Sequence, residues 1–418
     1  MLNKFKLTSE FSRNVLTLMT GTTIAQAIPI AISPILTRIY SPEDFGMFAL
    51  YMSVASILSV VATGRYELAI MLPKKDEDAV NIVALSIVIS FVVSFISLLI
   101  VFSFNAQITS FLGNPDISSW LYFIPLTVLL TGIYQSFNYW SNRKKQYKRL
   151  ATSRVVQSGT TASSNLLFGF AGFGSGGLIG STILGQGIAT ALLSRLVLRE
   201  DIGKITLIRR LKIFALMKKY KKLPLFNLTN AVIDGVRLSG ISILIAKFFS
   251  TSILGQFSLA WKMVQTPMSL IGSSLSQVFF QKVSSVDKAD LYVLVKQFIK
   301  KAILVSLPMF LVIYFFAEDI FMVIFGEDWR IAGKAASVMT PWLFLNFITS
   351  PLSTLFIVLN KQDIMLLFAC FYMLIPLSLL YLLRDNGFIE VLNSVSISMT
   401  FLLLVFISLV LFHTRKAT

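Results

Sequence analysis

The chain has 418 residues, 55% of them hydrophobic and only 14% charged, with 37 Lys and Arg against 20 Asp and Glu for a net charge of +17. Soluble chains average about 45–50% apolar and about 25% charged, so most of this surface is expected to face lipid. That balance excludes a soluble enzyme, a nucleic-acid binder and a disordered chain.

A helix needs roughly 20 apolar residues to cross a bilayer. Twelve runs meet that length, at 13–37, 45–64, 80–103, 118–140, 151–171, 176–198, 226–248, 254–280, 297–316, 335–359, 363–383 and 389–412. The first is too long for the apolar core of a signal peptide and no small-residue cleavage site follows it, so it reads as a retained helix. With both termini in the cytoplasm, 30 of the 37 Lys and Arg fall on the cytoplasmic side, 5 fall outside, and Arg237 and Lys262 lie within spans. This is the positive-inside pattern of a cytoplasmic-membrane protein.

In chain order, the loop after span two carries Asp76, Glu77 and Asp78, expected to be a solvated cluster. Span four carries Thr127, Thr131, Gln135 and Asn138, and span five carries Ser153, Gln157, Thr160 and Ser164. Lipid cannot hydrogen-bond such groups, so each stripe faces protein or water. A wet lumen and polar helix–helix glue are equal readings for these two spans. Gly176 and Gly180 have the spacing for close packing of spans five and six. The segment from Lys204 to Lys222 is basic, with Ile208, Leu211, Phe214 and Met217 at every third position. It is expected to lie in the cytoplasmic interface against anionic lipid. The domain reading is therefore an N-terminal six-helix lobe at 1–203, a basic linker at 204–225 and a C-terminal six-helix lobe at 226–418.

Span seven places Asn227, Asn230, Asp234 and Arg237 on one helical face, and span eight does the same with Lys262, Gln265, Ser269, Ser273 and Ser276. A charge at bilayer depth costs at least roughly 2.5–3.5 kcal/mol and usually marks a pathway. On the functional reading Arg237 and Lys262 hold an anionic group beside Asn230 and Gln265, while Asp234 titrates or binds a coupling cation, H⁺ or Na⁺. The structural alternatives are an Asp234–Arg237 ion pair and a Lys262 that snorkels to an interface. Pro29, Pro34, Pro125, Pro267, Pro308, Pro341, Pro351 and Pro376 fall within spans and favour bendable helices. Cys370 is the one cysteine and His413 the one histidine; His413 is expected at an interface. No phosphate loop, nucleophile elbow or metal motif is present, so no cofactor is expected.

The two halves repeat. Arg38-Ile-Tyr-Ser-Pro-Glu-Asp-Phe-Gly-Met-Phe-Ala-Leu50 aligns with Lys247-Phe-Phe-Ser-Thr-Ser-Ile-Leu-Gly-Gln-Phe-Ser-Leu259, pairing Ser41 with Ser250 and Gly46 with Gly255. Six spans separate the copies, so both face the same way. Two parallel six-helix lobes about an axis along the membrane normal follow, with a cavity expected between them near the midplane.

At Leu36-Thr-Arg-Ile-Tyr-Ser-Pro-Glu-Asp-Phe-Gly-Met-Phe48, Arg65-Tyr-Glu-Leu-Ala-Ile70 and Leu72-Pro-Lys-Lys-Asp-Glu-Asp-Ala79, the sequence resembles bacterial polysaccharide biosynthesis membrane proteins. These are the O-antigen and capsule repeat-unit flippases of the multidrug/oligosaccharidyl-lipid/polysaccharide exporter superfamily. The resemblance implies an all-α membrane fold of twelve helices in two lobes. It also implies translocation of undecaprenyl-diphosphate-linked oligosaccharide to the periplasmic leaflet, with the pathway's polymerase and chain-length proteins as candidate partners. Arg38 and Arg65 belong to the family-like segments and are further substrate-binding candidates, with structural roles as the alternative. A cation-coupled exporter of small molecules on the same fold is the competing function. A polymerase or ligase of the pathway would carry a larger external loop than any present.

Overall fold

The computed structural model describes residues 10–221, 223–286, 288–359 and 361–417. Among the described residues the chain is helical, with turns and no strand. The helices are α1 Glu10–Ile39, α2 Pro42–Val61, α3 Asp76–Leu112, α4 Ser118–Leu121, α5 Ile124–Arg143, α6 Tyr147–Phe170, α7 Ser175–Ile205 and α8 Arg210–Lys219. They continue as α9 Thr229–Phe248, α10 Thr251–Ser285, α11 Lys288–Phe325, α12 Arg330–Leu352, α13 Leu355–Val358, α14 Gln362–Leu382 and α15 Phe388–Ala417. Ten of the twelve apolar runs fall mainly on one helix each; 118–140 is divided between α4 and α5, and 335–359 between α12 and α13. Eight described helices are long and apolar enough to cross a membrane, or nine if the Pro115–Leu121 and Ile124–Arg143 pair, bent by 46°, is one span. The long helices outside that set are α6, α9 and α10, which carry the polar stripes.

The chain divides into two compact units. Unit 1 holds the described residues up to Tyr40 together with Met47–Ile243, and unit 2 holds Ser41–Gly46 with Leu244 onward.

In unit 1 α6 packs between α1 and α7, and α5 packs against α3 and α7. The predicted polar stripes act here as glue. The Tyr51 and Thr127 hydroxyls meet at 2.6 Å, Tyr134 and Ser153 at 3.1 Å, and Gln157 donates to Gln186. The close approach of α6 and α7 falls elsewhere than expected. A Cβ on Gly176 would meet the Trp120 ring, whereas one on Gly185 would lie 1.9 Å from Thr161 Oγ1. Gly185 is thus the position that lets α7 press on α6. Pro125 stands in the first turn of α5, where its missing N–H costs nothing; the other seven span prolines are inside helices.

In unit 2 α12 is the central helix, covered by α10, α11 and α15. Gln256 of α10 pins its start, accepting from Ala332 N at 2.9 Å and donating to Asp328 O at 2.5 Å. The repeat is visible in the backbone. Ser41 Oγ accepts from Asp44 N at 3.2 Å and Ser250 Oγ accepts from Ile253 N at 3.0 Å, so both serines cap helices at the same offset. A Cβ on Gly46 would lie 1.7 Å from Thr251 O, and one on Gly255 would lie 1.8 Å from Pro42 O. Two equivalent turns meet here reciprocally, and only glycine allows that approach.

Candidate functional site

The sequence placed its strongest candidates on α9 and α10. A π-helical turn at Pro224–Leu228 leads into α9, and such turns recur at functional sites. Asp234 and Arg237 stand one turn apart on α9, with Asp234 Oδ1 3.8 Å from Arg237 Nη2. The carboxylate is 71% exposed and the guanidinium 16%. The pair therefore forms, but loosely, and most of the acid's side chain is exposed. Along the same helix Ser239 hydrogen-bonds Ser56 of α2 at 2.9 Å, and Gly235 lies against Val60. This fixes the face of α9 turned to α2 within unit 1. The side chains of Asn230 and Ser273 lie outside the described residues.

Lys262 is about a third of the way along α10 in unit 2 and is exposed. One turn on, Gln265 is half-buried and its Oε1 is buried without a hydrogen-bond partner. An orphaned buried carbonyl is costly, and this one leaves an acceptor unused on α10. Beside them sits an aromatic cluster that no spacing rule reveals. Trp261 packs on Trp342 with centroids 5.3 Å apart, and the Tyr372 hydroxyl accepts from Trp342 Nε1 at 2.9 Å and from Asn346 Nδ2 at 3.0 Å. The three helices α10, α12 and α14 each contribute, so only the fold brings these residues together.

The remaining candidates are Arg38 and Arg65. Arg38 is exposed in the last turn of α1. Arg65 follows Gly64 in a turn where both residues are left-handed, at φ +63° and +57°. Its Nη1 lies 3.4 Å from Oε1 of Glu67, a carboxylate only 1% exposed, whose other oxygen accepts from Thr63. Arg65 thus offsets a buried charge at the end of α2. The neighbouring Tyr66 hydroxyl donates to Met217 O at 3.1 Å, and burial pushes that phenol up from its ordinary value.

The acidic residues at the start of α3 are not a solvated cluster. Asp76 accepts from Arg143 at 3.2 Å, Lys144 at 2.8 Å and Lys204 at 2.9 Å. Glu77 and Asp78 both face Lys212. Arg149, 7% exposed, pairs with Glu200 and lies 3.2 Å from Asp201, which also accepts from Trp140 Nε1 at 3.1 Å. Burial lowers the Lys204 pKa, but its hydrogen bond to Asp76 and the Asp76 and Asp201 charges outweigh that, so the value is raised. Five of the basic residues counted for topology, Arg143, Lys144, Arg149, Lys204 and Lys212, are paired here in a network across α3, α5, α6, α7 and α8. Sequence reasoning missed it because its members are distant in the chain.

The basic segment also folds differently from its three-residue spacing. Leu207, Ile213, Met217, Tyr220 and Leu223 pack with buried Leu216 on the core of unit 1. Leu211 and Phe214 are 85% and 58% exposed. Helix α8 therefore has two apolar faces, one on protein and one free.

The fold is shared with known membrane transporters. An inward-facing multidrug resistance MATE family transporter of the MOP superfamily superposes with a TM-score of 0.72 at 13% identity, over 96% of this chain and 95% of that one. The lipid II flippase MurJ in an inward closed conformation gives 0.73 at 14% identity, over 94% and 87%. A MOP superfamily transporter from Pyrococcus furiosus gives 0.62 at 14% identity, over 97% and 95%. No curated protein matches the sequence. The family model described as polysaccharide biosynthesis protein matches residues 35–333, most of the chain, and this multi-pass membrane protein belongs to that family.

Proposed function

We propose that the protein translocates undecaprenyl-diphosphate-linked oligosaccharide from the cytoplasmic to the periplasmic leaflet of a bacterial inner membrane, by alternating access across twelve spans. Family membership carries this reading, because a polysaccharide biosynthesis protein with the fold of a lipid-linked-substrate flippase has an evident cargo. The headgroup is polar and carries diphosphate charge, and its lipid tail stays in hydrocarbon. Arg237 and Lys262 lower the cost of moving that charge, Asn230 and Gln265 hydrogen-bond sugar or phosphate, and Asp234 couples to H⁺ or Na⁺. Arg38 and Arg65 serve the scaffold. The protein acts as a transporter and forms no covalent intermediate with its cargo.

The test is complementation of a flippase-deficient strain with defined repeat units. Arg237→Ala and Lys262→Ala should each cut surface polysaccharide strongly at wild-type protein level. Full polysaccharide from both variants would defeat the assignment. The comparable likeness to a multidrug transporter favours a second reading, a cation-coupled exporter of small molecules. That reading predicts protection against cationic toxic compounds without any effect on polysaccharide.

A further inference from the structure

Unit 1 carries an apolar groove that belongs to none of the residues above proposed to bind cargo. Its walls are Val80, Val83, Ala84, Ile87 and Val88 of α3, Phe137 and Trp140 of α5, and Val197 and Leu198 of α7. Asp201 and Ile208 close one end. The α3 residues fall on three successive turns of one face, so the groove runs about 12 Å along the helix at 1.5 Å per residue. Its volume is about 270 Å³, a mean cross-section of about 22 Å² over that length. That is room for one alkyl chain and far too narrow for a helix, which is about 10–12 Å across. Val88, Leu198 and Ile208 are exposed along the rim, so the groove opens at the protein surface.

The closed end is polar and built. Trp140 lies under the ammonium groups of Lys144 and Lys204, whose nitrogens are 5.8 and 5.3 Å from its ring centre. Asp201, the one carboxylate in the lining, is neutralised by Arg149 and by Lys204 at 3.5 Å. Buried Asn81 then aims the linker. Its Nδ2 donates to Leu207 O at 3.0 Å and its Oδ1 accepts from Arg209 N at 2.8 Å. Those two bonds hold the backbone on either side of Ile208, a lining residue, and the next two residues in the chain, Arg209 and Arg210, are exposed. Arg199 is exposed beside the rim residue Leu198. Just beyond, Leu211 and Phe214 present the free apolar face of α8.

We propose that this groove is a binding site for an anionic glycerophospholipid, with one acyl chain along α3 and the phosphate on Arg209 and Arg210. The lipid ties the linker segment to the α3–α5–α7 wall. Apolar walls alone would accept any lipid; the paired arginines at one end select an anionic headgroup.

The test is native mass spectrometry of the purified full-length protein with added phosphatidylglycerol or phosphatidylcholine of matched chains. Wild-type protein should retain one phosphatidylglycerol in preference to phosphatidylcholine. The double variant Arg209→Ala/Arg210→Ala should bind it roughly 30-fold more weakly, since each surface cation near an anionic lipid contributes about a factor of five. Ala84→Phe should abolish the adduct by filling the groove. Val88→Trp adds bulk at a rim position and carries the same test if Ala84→Phe does not fold. Val305→Trp, on an exposed face of unit 2, should leave the adduct unchanged. The proposal is overturned if phosphatidylcholine binds equally, if the adduct survives a folded groove-filling variant, or if undecaprenyl diphosphate displaces equimolar phosphatidylglycerol. The readout does not depend on polysaccharide transport, so it stands or falls apart from the flippase reading.

Discussion

In unit 1 the end where α3 and α6 begin and α5 and α7 finish is held by Asp76, Asp201 and Glu200 among arginines and lysines. In unit 2, at the corresponding helix ends of the repeat, where α11 and α14 begin and α12 and α15 finish, phenylalanine rings pack together. Phe279 meets Phe298 at 4.4 Å, and Phe406 meets Phe368 at 4.5 Å and Phe356 at 5.4 Å. Among the described residues the two copies of one helix arrangement thus differ, ion pairs standing out in the first and aromatic pairs in the second. Ion pairs are directional, need every partner and weaken with salt. Ring packing is less directional, tolerates volume-conserving change and ignores ionic strength. The polar end also recruits the linker through Lys204 and Lys212, so the segment between the repeats is integral to unit 1.

The comparison can be broken first in unit 2. Phe356 is fully buried against Phe406 and His413. Phe356→Ala should cost about 3–5 kcal/mol, the usual range for emptying an aromatic site. The thermal midpoint in detergent should fall by the same amount at low and high salt. A salt-dependent loss would show that charge also holds this end.

Arg149→Met tests the polar end at its most buried point. It leaves Asp201, 11% exposed, without its guanidinium partner. Asp201 keeps Lys204 and Trp140 Nε1, so the loss should stay below the roughly 3–5 kcal/mol of a fully stranded buried charge but exceed that of an exposed pair. Arg149→Met with Asp201→Asn should recover part of that loss, because the under-compensated charge is then gone. An equal loss in single and double variants would assign the effect to packing by the arginine stem.

These two ends also show what a sequence can and cannot reveal. The apolar runs were legible as helical, since burying a backbone in lipid leaves little choice, but the breaks inside 118–140 and 335–359 were not. The matched serines at 41 and 250 and glycines at 46 and 255 were legible as a repeat because they lie at a fixed offset, whereas the caps and the close approach they make came only with the fold. The one-turn spacing of Asp234 and Arg237 was legible for the same reason. Asp76 was not, because its partners are 67, 68 and 128 residues away. Nor was the Trp342–Tyr372–Asn346 cluster, whose members need α12 and α14 packed. Of the four residues that the three-residue spacing selected on the basic segment, Ile208, Leu211 and Phe214 are exposed and Met217 packs on the core, while the spacing missed Ile213 and Leu216, which hold α8 to α3. Periodicity finds an apolar face but cannot say which of two meets protein.

Asp76→Asn should give a smaller effect than Arg149→Met. Asp76 is 36% exposed, so solvent screens its three cations, and a loss of about 1 kcal/mol is expected. High salt should shrink it further. An effect as large as that of Arg149→Met, or one unmoved by salt, would mean that Asp76 is the keystone of the network instead of its wet edge.

The smallest difference separates the two matched caps. Ser250 caps α10 through its hydroxyl alone, and Ser250→Ala should cost about 1 kcal/mol. Ser41 caps α2 in the same way, but Asp44 reaches back and accepts from Ser41 N at 3.0 Å and from its hydroxyl at 2.8 Å. That reciprocal arrangement is a capping box built with aspartate, and Ile253 occupies the equivalent position in the second copy. After Ser41→Ala the carboxylate keeps its bond to the backbone N–H and its favourable place at a helix N-terminus. Ser41→Ala should therefore cost a few tenths of a kcal/mol less than Ser250→Ala, and Ser41→Ala with Asp44→Ala should exceed either. Equal losses for the two serines would mean that Asp44 contributes nothing to the cap, and that the copies diverged in sequence there without diverging in energy.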